Sequence, residues 1–129
     1  MRKTKAMKIK PKIIKANSLS ENVTYERCSV AENYHSDEGS VARATVKAGV
    51  TTVAHHLTEV EEIYLITNGQ GIVTIGGLPP TKVGEGDVVV IPAGGSQKIT
   101  NTGNKDLVFT CICTPRFTPG CYVDEESQK

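Results

Sequence analysis

His55, His56, Glu59, Glu61 and Glu62 fall within one short run of the chain. Imidazole and carboxylate are the side chains that move protons near neutral pH and that also ligate divalent metal ions. Tyr64 follows Glu62 by two residues and adds a phenol. Gln97, farther on, offers a neutral amide oxygen, a weaker donor than an imidazole nitrogen. Arg43 carries a guanidinium that either holds a substrate carboxylate or faces water. Glu59 and Glu61 read as solvated turn charges, and His35, in the polar stretch 31–40, reads as a surface histidine on a loop.

The elements that must position these groups read as strands. On a strand, residues two apart share a face, so His55 and Leu57 point together and His56 points away unless a bulge re-aims it. Glu62, Tyr64 and Ile66 share one face of the next strand, and Ile63 and Leu65 the other. Asn68-Gly69 tolerates positive φ and predicts a hairpin returning along 70–75. Further strands are expected at 12–15, 23–30, 41–47, 52–57, 61–67, 87–91, 96–101 and 106–113, with 77–80 too proline-bound to continue one. Many short strands at even spacing, and no convincing helical period, point to a sandwich or barrel. The tail 114–126 is extended and proline-bound, a clasp with Phe117 and Tyr122 anchored outside the barrel.

At 129 residues the chain is one domain able to bury a core without disulfides or metal. Its net charge of +1 is unevenly placed: residues 1–15 hold seven Lys/Arg and no acid, leaving 8 basic against 14 acidic groups beyond. Residues 1–15 therefore read as a solvated basic arm and 16–129 as the domain; a nucleic-acid contact has only that arm to work through. The arm lacks the apolar run of a secretory signal, and no window approaches a membrane span. The four cysteines, Cys28, Cys111, Cys113 and Cys121, form neither a disulfide framework nor paired zinc spacing. Reduced, buried thiols in a cytoplasmic protein are expected.

Two stretches carry a family resemblance. Gly49, His55, Glu62 and Gly69 fit G-x5-H-x-H-x4-E-x6-G in register, and Gly86, Pro92, Gly94 and Asn101 fit G-x5-P-x-G-x2-H-x3-N. The chain resembles the cupin superfamily over about residues 40–115, departing where Leu57 and Gln97 replace two histidines. The resemblance implies an all-β, single-domain cupin β-barrel, the double-stranded β-helix or jelly-roll. It implies that His55, Glu62 and Gln97 converge inside, with Tyr64 nearby and Leu57 closing one side. These residues, joined by His56 if a bulge turns it inward, would hold a divalent transition metal such as Zn, Ni, Mn or Fe; alternatively they form a metal-free hydrogen-bonded cluster. Three functions stand open on this fold. One is a metal-dependent enzyme acting on a small oxygen-rich or carboxylate-bearing molecule. The second is a metal-free binding or isomerase barrel using Glu62, Tyr64 and Arg43. The third is a non-catalytic assembly barrel. A homodimer is expected through apolar residues on the outer sheet face, Val88 to Ile91 with Ile63 and Leu65.

Overall fold

A computed structural model describes residues 10–16, 22–23 and 27–127. Most of the basic arm lies outside the described residues. Among the described residues, eleven strands make two antiparallel sheets. In chain order they are β1 (Asn22–Val23), β2 (Ser29–Ser36), β3 (Gly39–Val46), β4 (His55–Leu57), β5 (Glu61–Asn68), β6 (Gln70–Ile75), β7 (Thr81–Gly84), β8 (Val88–Ile91), β9 (Gln97–Asn101), β10 (Leu107–Thr114) and β11 (Tyr122–Asp124). One sheet runs β1-β2-β3-β10-β5-β8 and the other β11-β4-β9-β6-β7. This is the expected cupin-type barrel, closed by two sheets facing each other.

Side-chain alternation builds the interior. Along β5, Glu62, Tyr64 and Ile66 are buried while Glu61, Ile63 and Leu65 are exposed. Along β4, His55 and Leu57 are buried and His56 lies between in partial exposure. The inward sets of both sheets meet in a core around Tyr64, Ile66, Ile91, Ile99, Leu107 and Phe109. A second cluster of Leu57, Val60, Cys113 and Cys121 packs under the C-terminal segment.

Three expectations give way. Asn68-Gly69 does not close a hairpin: β5 pairs with β10 and β8, whereas β6 crosses to the other sheet and pairs with β7 and β9. Two inner faces can enclose a core only if the chain changes sheet there, and Gly69 permits the corner. Its φ is 85°, and a Cβ would meet the Asp106 carbonyl oxygen at 2.7 Å. The polar stretch read as a loop is largely strand β2, which turns at Asp37-Glu38 and pairs with β3 across a register shift between Glu32 and Tyr34. Its Ala31 is fully buried, and its Glu32 and His35 are exposed. Residues 12–15 form no strand, because the short Ile13-Ile14 run finds no ladder partner. No helix among the described residues is long and apolar enough to cross a membrane.

Candidate functional site

Between the sheets lies a cavity of about 100 Å3 whose wall includes His55 and Leu57 from β4, Glu62 and Tyr64 from β5, and Cys111 and Cys113 from β10. Pairing explains the convergence. His55 lies opposite Gln97 across the β4–β9 ladder, and Glu62 lies opposite Cys113 across β5–β10. His55, Glu62 and Gln97 are all buried, at 4%, 8% and 1% exposure.

His55 is held as a neutral base. Its Nδ1–H donates to the Val53 carbonyl at 2.7 Å, because a carbonyl can only accept, so Nε2 carries the lone pair. Burial lowers its pKa from the ordinary 6.5, against the Val53 hydrogen bond, which works to raise it. The ring of Tyr122 stacks on the imidazole at 4.6 Å between centroids.

Glu62 is in the opposite situation. Burial raises its pKa above the ordinary 4.5, only partly offset by the Gln97 amide and the thiols of Cys113 and Cys111. Its Oε2 accepts from the Cys113 thiol at 3.6 Å. Its Oε1 is buried without a hydrogen-bond partner, and so is Gln97 Nε2. The amide thus lies near enough to favour the carboxylate yet makes no hydrogen bond of ordinary geometry with it. Gln97 Oε1 instead accepts from the Tyr64 hydroxyl. Burial and the neighbouring Glu62 carboxyl push the Cys113 thiol far up, so it remains protonated.

His56 and Arg43 do not join this group. The inward turn that would have made His56 a ligand needs a bulge, and β4 has none: the strand pairs in register with β11. His56 Nδ1 meets Glu125 Oε2 at 2.7 Å on the other side of the strand. Arg43 alternates with Ala42 and Ala44, and it is the two alanines that line the cavity. A guanidinium aimed away cannot clamp a ligand there.

The C-terminal segment contributes more than its sequence suggested. Phe117 lines the cavity, and its backbone N–H donates to Ser40 Oγ at 2.9 Å. Strand β11 adds to the edge at β4, placing Tyr122 over His55. Glu125 fixes the end: its Oε1 accepts from Ser96 at 2.7 Å and its Oε2 meets His56. Burial works against that carboxylate, but the Ser96 and His56 hydrogen bonds hold its pKa below the ordinary value. The segment is a clasp, as expected, but its aromatics close the site instead of resting outside. An aromatic pair flanking Pro119-Gly120 was the sequence signal for it; which wall it covers is a tertiary fact.

The donor chemistry decides whether a metal fits. Gln97 has its amide oxygen engaged by Tyr64, Leu57 has none to offer, and His56 points away. Among the described residues no group of three or more His, Cys, Asp or Glu side chains is placed to hold a metal ion. His55 and Glu62 remain as two strong donors, which is short of a three-imidazole, one-carboxylate set.

Residues 42–113 match the family profile described as Cupin domain. The chain is 33% identical over 116 residues to the uncharacterised protein MJ1618 of Methanocaldococcus jannaschii, covering 90% of this chain and 88% of that one. Among solved structures it is similar to a predicted oxalate decarboxylase from Thermotoga maritima, with a TM-score of 0.74 at 23% identity over 81% of this chain and 99% of that one. That likeness shows the fold alone. It is also similar to the capsular polysaccharide assembling protein CapF from Staphylococcus aureus, with a TM-score of 0.70 and 25% identity. The match covers 82% of this chain but only 34% of CapF, so this chain spans about a third of that protein.

Proposed function

The chain belongs to the Cupin_2 family, and from that premise we propose that it binds a small oxygen-bearing molecule in the barrel cavity and transfers a proton on it without a resident metal. The class of reaction is enolisation next to a carbonyl, as in an isomerase. Glu62, whose protonated form burial favours, donates to the carbonyl oxygen. His55 Nε2 accepts the proton from the hydroxyl-bearing carbon next to the carbonyl. The imidazolium returns it to the former carbonyl carbon while the ionised Glu62 takes up the proton of the neighbouring hydroxyl, so both groups end as they began. A positioned acid and base of this kind contribute about 10²–10⁴-fold in rate. Tyr64 acts through Gln97, holding the amide against Glu62.

The observation that carries this is Glu62 Oε1, buried on the cavity wall with no partner. An unsatisfied buried oxygen costs about 1–3 kcal/mol, a cost that a bound ligand would relieve. The paired environments support the roles: burial raises the acid's pKa and lowers the base's.

The test is proton exchange in D2O. Chelator-treated, untagged protein is incubated with hydroxyacetone and with pyruvate, and deuterium at the carbon next to the carbonyl is followed by NMR. Exchange with either compound, lost in both His55→Ala and Glu62→Gln, is the expected result. Stoichiometric metal retained through purification, with exchange abolished by chelation and restored by that metal, overturns the proposal in favour of a metal-dependent enzyme. Absence of exchange with both compounds overturns it in favour of a binding barrel.

The assembly proposed with this function is a homodimer. Ile63, Leu65, Val88, Val90 and Ile112 are exposed together on the outer face of the six-stranded sheet. Ladder pairing sets Val90 beside Ile63 and Val88 beside Leu65, with Ile112 on the far side of Ile63. A contiguous apolar face at a sheet edge is suited to an identical partner across a two-fold axis.

A further inference from the structure

The charge of the cavity wall bears on what the cavity takes. Among the described residues, no lysine or arginine lines it. Arg43, which the sequence left to hold a substrate carboxylate or to face water, lies on the outer side of β3. The wall instead includes Glu32, which pairs with His35 at 2.6 Å, and Glu62. An ionised Glu62 repels an anion, and a protonated one offers it a single hydrogen bond without charge. Neither state supplies a counter-ion. Among the described lining residues His55 is the one able to carry positive charge, and its Nδ1–H is already spent on Val53. Its burial disfavours that charge. The rest of the wall is mostly apolar or sulfur-bearing, including Val30, Ala42, Ala44, Leu57, Phe109 and Phe117, and its remaining polar groups, Ser40, Thr52 and Tyr64, are uncharged hydroxyls. Transfer of an unpaired carboxylate into such surroundings is strongly unfavourable.

We infer that the cavity selects an electrically neutral small molecule and rejects the corresponding carboxylate or phosphate. The ligand presents one polar edge to the orphan Oε1 of Glu62 and an apolar body to the remaining wall. At about 100 Å3 the cavity is smaller than the 150 Å3 that admits benzene, so the enclosed part of the ligand has on the order of four to six non-hydrogen atoms. This rests on the reading of the cavity as the substrate site and narrows it: a ketone, amide or alcohol is taken, and a sugar acid or keto acid is not.

The experiment compares two molecules of nearly equal shape that differ in charge, isobutyramide and isobutyrate, by NMR titration of the whole chain near pH 7.5. The expected result is that isobutyramide shifts the resonances of His55, Tyr64 and Cys113 and binds at least about tenfold more tightly than isobutyrate, a gap of about 1.4 kcal/mol. In Glu62→Leu, which fills the same wall without a polar atom, the amide's advantage shrinks. Equal or tighter binding of isobutyrate overturns the inference while leaving the proton-transfer reading intact, since pyruvate exchange would still report it. Failure of both molecules to shift the cavity resonances overturns the inference as well. Deuterium exchange in the presence of that failure would show that chemistry occurs elsewhere than in this cavity.

Discussion

The ring of Tyr122 lies over the imidazole of His55, centroids 4.6 Å apart and planes inclined by 23°. This contact ties the last described strand, β11, to the first motif on β4. It shields one face of the base from water, and it makes the acid–base state of His55 depend on the clasp.

Replacing Tyr122 with alanine should therefore act on both stability and protonation. Loss of the stack and its buried surface is expected to cost about 1–3 kcal/mol in urea unfolding. Because burial is the main cause of the lowered His55 pKa, exposing the ring should move that pKa back toward 6.5, read from imidazole NMR shifts. Tyr122→Phe should leave both near wild type. A Tyr122→Ala variant with an unchanged His55 titration would show that the barrel, and not the clasp, buries the base.

Stability should vary with pH in two opposed windows. The His55 pKa is lowered in the folded state, so the unfolded chain binds more protons below 6.5. That contribution is present above pH 6.5 and is lost as pH falls through the folded value. The Glu62 pKa is raised, so its contribution is complete below pH 4.5 and is lost as pH rises through the folded value. Glu62→Gln should flatten the decline on the alkaline side, and the variant should gain on wild type as pH rises. His55→Gln should flatten the acid-side loss near pH 6. Unfolding free energies measured in urea across this range check both signs; a Glu62→Gln curve parallel to wild type would mean the carboxyl is solvated.

The proposed dimer has a direct check. Val90 is 66% exposed on the edge strand and Ile63 is its ladder neighbour. Sedimentation should give a dimer for the wild-type chain, and Val90→Asp should give a folded monomer, since the charge lies on the outer face and leaves the core untouched. A wild-type monomer at micromolar concentration removes the assembly.

Much of the site was legible because a strand has a period of two. His55 with Leu57, and Glu62 with Tyr64, were assigned to common faces from spacing alone, and burial follows that assignment. Motif register then placed Gln97 opposite His55. What escaped depends on contacts distant in sequence. The corner at Gly69 and a hairpin at Gly69 look alike locally, and only the packing of Asp106 and Leu107 against that glycine separates them. Strand β2 was hidden because Glu32, Asn33 and His35 match a loop in composition, while only the short Val30-Ala31 pair is apolar, Val30 packing against the core and Ala31 fully buried. The outward direction of Arg43, one of the two left open by the sequence, was implicit in its two alanine neighbours, whose small side chains leave room for a cavity.

The altered ligand positions allow a constructive test of the site. Leu57 shares the inward face of β4 with His55, at 2% exposure, and Gln97 faces His55 across the ladder at 1%. The backbone therefore still aims positions 55, 57, 62 and 97 into one interior, although the donors at two of them are gone. Gln97→His replaces an amide held by Tyr64 with an imidazole, a stronger donor for later first-row ions. Leu57→His adds the second, but without metal it buries a polar group in an apolar wall and should destabilise the apo protein by about 1–3 kcal/mol. The double variant should bind zinc or nickel more than tenfold tighter than wild type in titration calorimetry, and the bound ion should restore the lost stability by mass action. Adding His55→Ala should abolish the gain. A double variant that binds no more tightly than wild type would show that these side chains fail to meet at one point, and the joint action of His55 and Glu62 in proton transfer would fall with it.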